Sequence, residues 1–437
     1  MQPAILDKLR AIVGPSHLLT GIELSPYVVE GRTPDAAVFP GTVDEIQGVV
    51  AIAAQSGVPV MPWGGGTAAT VGTPPSRTGL ILGLGRLDRL IEHEPGDLTA
   101  TVQAGMTFDR LQRALREHRQ WLSLDPPDAG QATLGGVIAA NASGPRRHLY
   151  GTARDQLIGI TVVTADGALV RGGGKVVKNV AGYDLPKLFV GSYGTLGVIV
   201  DLTVRLRPLP DAERWVQVRF DRLKDAGVAV RALMSSDLIP CAVELLDSEA
   251  SRAVAFESTP TLVVAFDGLP EQIDWQCAEL AALTAPLGGR SLVAPSEPVS
   301  ANLPKVWTSS RGLVALTRFS VLPTLVAELM EHGAGAARQR GFQTAWTSHA
   351  GAGVVTAGLF SSEERPDLRS LATVLAEWRS LAHAGGGHAT LDWAPLPVKH
   401  EVPVWDDLGA AGRIMQRIKA QLDPTNILNP GRFVAGI

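Results

Sequence analysis

Apolar and polar residues follow two periods along this chain, and the pattern changes once, near residue 209. Before that point short strands, loops and helices succeed one another. Thr42-Val43-Asp44-Glu45 has the spacing of a capping box, and Ile46, Val49, Val50 and Ala53 continue an apolar helical stripe that Gly57 ends. Val58–Trp63 and Leu98–Ala104 read as strands, and Thr107 opens a helix through about Arg119 with Phe108, Leu111 and Leu115 on one face. Leu157–Thr164 and Ala168–Arg171 flank Ala165-Asp166-Gly167, a hairpin signature. Val198, Val200, Leu202, Val204 and Leu206 alternate with Asp201, Thr203, Arg205 and Arg207, as in a half-buried strand. Pro208-Leu209-Pro210 then breaks the chain and marks a domain boundary.

Beyond the boundary one order of elements occurs twice. Trp215–Phe220, Leu223–Met234, Ala242–Asp247, Thr261–Asp267, Glu271–Leu287 and Ser291–Ala294 read β-α-β-β-α-β. Leu313–Val321, a helix after Pro323, Gln343–His349, Gly353–Phe360, a helix through about Ala384 and His388–Trp393 repeat it. Two such units predict one larger antiparallel sheet of the ferredoxin-like kind, backed by helices. A last helix near Leu408–Leu422 leads to Asn429-Pro430-Gly431-Arg432-Phe433. The chain therefore reads as α+β, with an N-terminal segment over 1–32, a first domain over 33–210, a second over 211–395 and a closing segment over 396–437.

Four glycine-rich segments carry the chemistry of the first domain. They are Trp63-Gly64-Gly65-Gly66-Thr67, Thr133-Leu134-Gly135-Gly136 running on to Asn141-Ala142-Ser143-Gly144, Gly172-Gly173-Gly174-Lys175, and Gly191-Ser192-Tyr193-Gly194-Thr195-Leu196-Gly197. Backbone N–H groups without neighbouring Cβ atoms can converge on an anion, and four such loops fit a long phosphate-bearing ligand such as a dinucleotide. Four unrelated tight turns are the plainer alternative. The spacing Gly64-x-Gly66-x-x-Ala69 matches the Rossmann fingerprint in form only. That fingerprint needs a following helix, and Gly72, Pro74 and Pro75 forbid one. Lys175 has neither the preceding glycine nor the following Ser/Thr of a phosphate-binding P-loop.

Composition narrows the classes further. With 39 basic and 43 acidic residues the chain lacks the positive balance that nucleic acid demands. Cys241 and Cys277 are too few for a disulfide framework or for a four-thiolate iron–sulfur cluster, and free thiols are expected. Asp7, Lys8 and Arg10 argue against a signal peptide, and glycines and prolines interrupt the uncharged stretch from Ile46 to Ser76 well short of the roughly 20 residues a membrane span needs. The expectation is a cytoplasmic protein, at most peripheral at the inner face of the membrane through a complex. No metal site is expected.

Taken in order, Pro62-Trp63-Gly64-Gly65-Gly66-Thr67, Thr133-Leu134-Gly135-Gly136 with Asn141 and Gly144, Tyr150-Gly151 and Gly194-Thr195-Leu196-Gly197-Val198-Ile199 resemble the PCMH-type FAD-binding domain of the vanillyl-alcohol oxidase superfamily. The closing Asn429-Pro430-Gly431-Arg432-Phe433 resembles its hydroxy-acid dehydrogenase branch. Gly174-Lys175-Val176-Val177-Lys178-Asn179-Val180-Ala181-Gly182-Tyr183-Asp184 is similar to the FAD-binding E subunits of bacterial glycolate oxidase complexes. The resemblance covers nearly the whole chain. It implies that residues 211–395 form a cap over the flavin ring that shapes the substrate site, and that the tail folds back onto the FAD domain. It also implies FAD bound by Pro62, Trp63, Gly64, Gly65, Gly66, Thr67, Ala68, Thr133, Leu134, Gly135, Gly136, Asn141, Ser143, Gly144, Tyr150, Gly151, Val198 and Ile199. Family members with covalent flavin place a histidine in or just after the first glycine loop, where Ala68 and Ala69 stand here, so the flavin is expected to be non-covalent.

Oxidising a 2-hydroxy acid requires a base for the hydroxyl proton and a cation or metal for the carboxylate. The family's catalytic subunit uses a His-Ala-Gly-Asp-Gly-Asn-Leu-His stretch. Ser348-His349-Ala350-Gly351-Ala352-Gly353-Val354-Val355-Thr356 stands in its place, with Ala352 for the acid and Thr356 for the second histidine. His349 is thus a solitary remnant, read first as a hydrogen-bonded structural residue. Tyr183, Asp184 and Lys187 either face the flavin or form a turn. His383 and His388 make either a small polar site or a loop entering a strand, and Arg146, Arg147 and His148 either steer anions or form a surface patch. The leading expectation is a FAD-carrying subunit of a glycolate oxidase (glycolate dehydrogenase) complex, beside a homologous catalytic FAD subunit and an iron–sulfur subunit passing electrons towards quinone. Alternatives are a self-sufficient FAD-dependent 2-hydroxy-acid dehydrogenase and a structural subunit with a degenerate flavin site. Purification separates them: yellow but inactive alone, yellow and active, or colourless. Acid precipitation of the yellow protein should leave all the colour in solution; colour retained in the pellet would disprove non-covalent attachment.

Overall fold

The change of pattern near Pro208 is where the chain leaves one hydrophobic core for another. The computed structural model describes residues 1–174, 184–293, 302–308, 312–363 and 366–437. Met1–Ser143, Thr152–Leu209 and Asp407–Ile437 form unit 1, and Gly144–Gly151 with Pro210–Asp406 form unit 2.

Among the described residues unit 1 contains two larger sheets and a two-stranded ribbon. In the first, β1 (Leu18–Leu19), β2 (Ala36–Val38), β3 (Val60–Trp63) and β4 (Leu80–Gly83) lie in the order β1-β2-β4-β3. β4 runs parallel to both β2 and β3, and the helix Val43–Ser56 makes the crossover from β2 to β3. Thr42 Oγ1 accepts from Glu45 N at 3.2 Å, as the capping-box spacing predicts. The Glu45 carboxylate, however, reaches one residue further back and accepts from Gly41 N at 2.7 Å. The second sheet holds β5 (Leu90–Glu94), β6 (Thr99–Gln103), β8 (Leu157–Val163), β9 (Leu169–Gly173) and β10 (Val198–Arg205) in the antiparallel order β5-β6-β10-β8-β9. β7 (Gln120–Trp121) pairs with β11 (Arg207–Pro208) in a short ribbon. The β8–β9 hairpin is closed as its Asp-Gly turn predicts, with Asp166 Oδ1 accepting from Ala168 N at 3.0 Å. The N-terminal helix Pro3–Val13 joins the same core through Leu9 and Val13.

Unit 2 is a single eight-stranded antiparallel sheet. Its strands are β12 (Ala212–Arg219), β13 (Ala242–Leu246), β14 (Thr261–Gly268), β15 (Arg290–Val293), β16 (Leu313–Ser320), β17 (Gln343–His349), β18 (Val354–Phe360) and β19 (His388–Trp393). The order β15-β12-β14-β13-β17-β18-β16-β19 contains two ferredoxin-like halves, each ordered fourth, first, third, second, joined through their second strands β13 and β17. Helices Leu223–Met234, Pro270–Thr284, Val326–Arg338 and Leu368–Ala384 bury one face of the sheet. Phe319, Trp346 and Trp378 lock that core, with ring centroids 4.7 to 6.0 Å apart, and Trp378 Nε1 donates to Gly333 O at 2.8 Å.

Two expectations need correction, and one helix was not foreseen. Residues 396–406, expected with the returning tail, belong to unit 2, because Val398, Val402 and Val404 complete its core. Residues 144–151, expected within the first domain, also belong to unit 2, where buried Arg146 pairs with Glu213 at 2.6 Å. The helix Ser248–Ala253 had no apolar stripe to announce it; Asp247 caps it by accepting from Ala250 N at 2.8 Å. Among the described residues no helix is long and apolar enough to cross a membrane.

Burial pushes the Asp247 carboxyl up to about 7, against the backbone hydrogen bonds around it. The folded state then holds a proton that the unfolded chain releases near pH 4. This group's contribution is complete below pH 4 and is lost as pH rises through 7, at up to about 1.4 kcal/mol per pH unit. Asp247→Asn keeps a capping oxygen and should flatten that slope. Denaturant midpoints at pH 5 and pH 8 test this, and an unchanged slope would refute it.

Candidate functional site

The cofactor region of unit 1 is assembled from segments that share almost no side chains. β3 delivers Pro62 and Trp63 to its carboxyl end, and the chain turns through Gly64–Ala68 without starting a helix. At Gly65 a Cβ would lie on the Gln131 carbonyl oxygen, and at Gly64 it would meet Thr133 Oγ1. The first and second glycine segments therefore touch backbone to backbone, and Gln131 Nε2 donates to Gly65 O at 2.6 Å. Thr133 caps the helix Leu134–Ala140 by accepting from Gly136 N at 3.3 Å, so Leu134, Gly135 and Gly136 form a first helical turn rather than a loop. Asn141 ends that helix in the left-handed conformation, and its Oδ1 accepts from Arg154 N at 3.2 Å. Gly191 N and Tyr193 N donate to Ile138 O and Ala139 O at 3.0 and 2.9 Å, which lays the fourth glycine segment on the end of the same helix. Gly194 lies against Pro62, and β10 begins at buried Val198 and Ile199. Ser143 Oγ accepts from Ala153 N at 3.1 Å.

The tail fastens these loops. Arg432 donates to the carbonyls of Thr73, Ala69 and Val71 at 2.9, 2.6 and 2.6 Å, just beyond the first glycine segment. Burial lowers its guanidinium to about 10. Asn429 Nδ2 donates to Tyr193 O at 2.7 Å, and buried Lys419 donates to Thr195 O at 2.8 Å and to Asp423 at 2.6 Å. This constellation has the backbone donors, the absent Cβ atoms and the rigidity that a pyrophosphate-bearing cofactor requires.

The third glycine segment does not join it. Gly172 and Gly173 end β9, and a Cβ at Gly173 would fall on the Ile158 carbonyl oxygen, so these glycines serve strand packing. Gly144, Tyr150 and Gly151 lie in unit 2. There Tyr150 Oη donates to Asp267 at 2.6 Å, and burial pushes its phenol up. Lys187 Nζ donates to Leu157 O at 2.9 Å, which commits it to the backbone. Tyr183 lies outside the described residues.

His349 is not solitary. Its Nδ1 lies 2.8 and 2.9 Å from the two oxygens of Glu244, directly across the β13–β17 seam. Glu244 is fully buried; burial pushes its carboxyl well up, and Arg147 opposes that shift. Arg146 is likewise no surface patch, being held by Glu213 and, at 3.8 Å, by Asp267. His383 and His388 are brought together by Asp406, at 3.0 and 3.4 Å. Glu244 escaped sequence reasoning, although an acid inside Ala242-Val243-Glu244-Leu245-Leu246 is a charge on a buried strand and calls for a partner. Among the described residues no group of three or more His, Cys, Asp or Glu side chains is placed to hold a metal ion.

Replacing Gly65 with Leu should abolish binding of the expected FAD in a protein that still folds, because the side chain would force the first loop off Gln131. Arg432→Leu should weaken binding by about tenfold or more through loosening of residues 69–73. Calorimetric titration of the apoproteins with FAD checks both, and parental affinity in the pair would refute the cradle.

Comparison with known proteins agrees with this geometry. A family model described as an FAD binding domain matches residues 34–173, and one described as the C-terminal domain of FAD linked oxidases matches 209–391 and 409–433. The chain is 36% identical to glycolate oxidase subunit GlcD of Bacillus subtilis over 241 residues, 54% of this chain and 49% of that one. It is 30% identical to a D-lactate dehydrogenase of Archaeoglobus fulgidus over 459 aligned positions that cover 98% of both chains. Its fold matches p-cresol methylhydroxylase with a TM-score of 0.81 at 20% identity, over 99% of this chain and 96% of the other. The chain thus has a PCMH-type α+β fold with FAD as its cofactor, and it belongs to the FAD-linked oxidase family of FAD-dependent oxidoreductases.

Proposed function

We propose that this chain is the FAD-carrying subunit of a complex that oxidises glycolate, or a close 2-hydroxy acid, to the 2-oxo acid. Its partners in this reading are a homologous catalytic FAD subunit and an iron–sulfur subunit that takes electrons towards quinone. The observation that carries it is a contrast within one chain. The cofactor cradle is complete to the level of single Cβ atoms, while Ala352 and Thr356 replace the acid and second histidine of the catalytic stretch. Two cysteines cannot ligate a four-thiolate cluster, so in this reading, with quinone as the sink, the iron–sulfur carrier is a separate chain. The similarity to a glycolate oxidase subunit supports the substrate class.

When bound, FAD accepts the two electrons of the alcohol oxidation. The chain's own part begins with Gly64–Gly66 and the Thr133-capped helix, whose N–H groups hold the pyrophosphate charge. Arg432 keeps residues 69–73 from shifting under it. In unit 2 the Glu244–His349 pair can hold a proton, since one hydrogen is shared between Nδ1 and the carboxylate. That pair favours a second reading, in which the chain also oxidises substrate by itself.

Anaerobic stopped-flow reduction by glycolate and D-lactate separates the two. The chain alone should bleach slowly, because proton transfer by one histidine without the stretch's acid lacks part of the about 10²–10⁴-fold that general base catalysis supplies. Adding the partner subunits should bring bleaching to a catalytically useful rate. Full and rapid bleaching by the isolated chain would overturn the division of labour and establish the self-sufficient dehydrogenase.

A further inference from the structure

In unit 1 the N-terminal segment reaches the first glycine loop through aromatic rings. Ala37, Ile81 and Met61 stand side by side across β2, β4 and β3. Their neighbours Val38, Leu82 and Val60 join the core of helix Val43–Ser56, so these three point to the opposite face, where Leu24 covers them. Alternation puts Phe39, Gly83 and Trp63 on that same face, at the carboxyl ends of the three strands. Gly83 has no side chain, and Phe39 takes its place: a Cβ there would strike the Phe39 ring. Tyr27 ends the short 3₁₀ helix Gly21–Tyr27 and packs on both aromatics. Its ring centroid lies 5.8 Å from that of Phe39 and 5.4 Å from that of Trp63, the latter edge-on at 69°.

Trp63 links these rings to the loop. Gly66 has φ +74°, and a Cβ on it would sit 2.8, 3.1 and 3.3 Å from Cζ2, Cε2 and Nε1 of the Trp63 indole. The ring edge therefore lies directly against the Gly66 backbone, an approach that any side chain at 66 would prevent. Ala69 N donates to Gly66 O at 3.1 Å and closes the turn. An indole can swing between staggered rotamers, and a ring packed beside it selects one of them. Tyr27 is that ring, and it lies outside residues 34–173, which the FAD binding domain model matches.

We infer that Tyr27 is a positioning residue for the cofactor: through Trp63 it holds Gly66 in the conformation that receives FAD. The inference rests on the first glycine segment being part of the FAD site. A plain apolar cover over the sheet, without effect on FAD, is the alternative that the experiment must exclude. A loop that binds in one conformation loses apparent affinity in proportion to the fraction of molecules that hold it. An aromatic pair is strong enough to change that fraction by roughly three- to tenfold.

Two substitutions at one position separate the readings. Tyr27→Leu keeps an apolar cover and removes the ring, whereas Tyr27→Phe keeps both. In calorimetric titration of the apoproteins with FAD, Tyr27→Leu should bind roughly three- to tenfold more weakly than the parent, and Tyr27→Phe should match the parent. Trp63→Leu should weaken binding at least as much. Because Tyr27 acts through Trp63, adding Tyr27→Leu to Trp63→Leu should cause no further loss. Far-UV circular dichroism of parental shape shows that the variants are folded. Parental affinity in Tyr27→Leu, equal losses in Tyr27→Leu and Tyr27→Phe, or full additivity with Trp63→Leu would overturn the inference. Gly65→Leu distinguishes its failure from that of the cradle. If Gly65→Leu also binds FAD like the parent, the loop is not the FAD site and both fall. If Gly65→Leu binds no FAD while Tyr27→Leu binds normally, only the role of Tyr27 is lost.

Discussion

The cofactor end of this protein depends on fastening loops that cannot fasten themselves. A glycine loop gains access to phosphate by giving up side chains, and it thereby gives up the packing that would hold it and keeps a large entropy in the unfolded state. The tail makes good the loss. Lys419 is buried against Asp423, and its ammonium also reaches the carbonyls of Thr195 and Leu428 at 2.8 Å each. Asp423 in turn accepts from Ile427 N and Leu428 N. A buried ion pair with every hydrogen bond made is tolerated, whereas removal of one partner typically costs about 3–5 kcal/mol. The pair positions Val60 N and O to bond Ile427 and Asn429, and the chain then runs to Arg432. One polar knot thus fixes both the strand that launches the first glycine loop and the fourth glycine segment at Thr195.

Unit 2 solves a different problem, the joining of two similar half-sheets into one. The join runs through the second strand of each half, and its register puts a carboxylate opposite an imidazole at the seam. Glu244 could not be buried alone; a lone carboxylate there would simply take up a proton. The His349 ring and the charge of Arg147 make the position tenable, and residues 144–151 bring that arginine into unit 2. The same segment meets Asp267 through Tyr150 and Glu213 through Arg146. Glu244, His349, Arg146, Tyr150, Glu213 and Asp267 are therefore paired, and the seam is specified by chemistry as well as by backbone pairing.

Much of this was legible locally. Helix Leu223–Met234 has the residues its pattern predicts, because its apolar stripe lies within one short window. The doubled β-α-β-β-α-β order was visible for the same reason, and the order implies the sheet. What escaped depended on distance. Glu244 and His349 are 105 residues apart, so the motif alone made the histidine look solitary. Gly172 and Gly173 looked like an anion loop because glycine signals close approach without saying what approaches; the neighbour is a strand carbonyl. The excursion of residues 144–151 into unit 2 has no local signature, since charged residues between two glycines read as surface until Glu213 and Asp267 are seen beside them.

The remnant of the catalytic stretch shows which of its residues the fold itself demands. Gly353 has φ +69°, and a Cβ there would strike the Val321 carbonyl oxygen; at Gly351 it would strike the His148 ring. Both glycines are thus required by the turn that carries His349 into β18, whatever chemistry the turn supports. Ala350 is buried, and His349 itself closes the β13–β17 seam. Position 352 makes no such demand: Ala352 sits exposed in the turn. An acid there would serve a ligand and not the architecture. Alanine at 352, beside glycines at 351 and 353 and a buried Ala350, leaves the turn intact while removing a side chain that only a ligand would need.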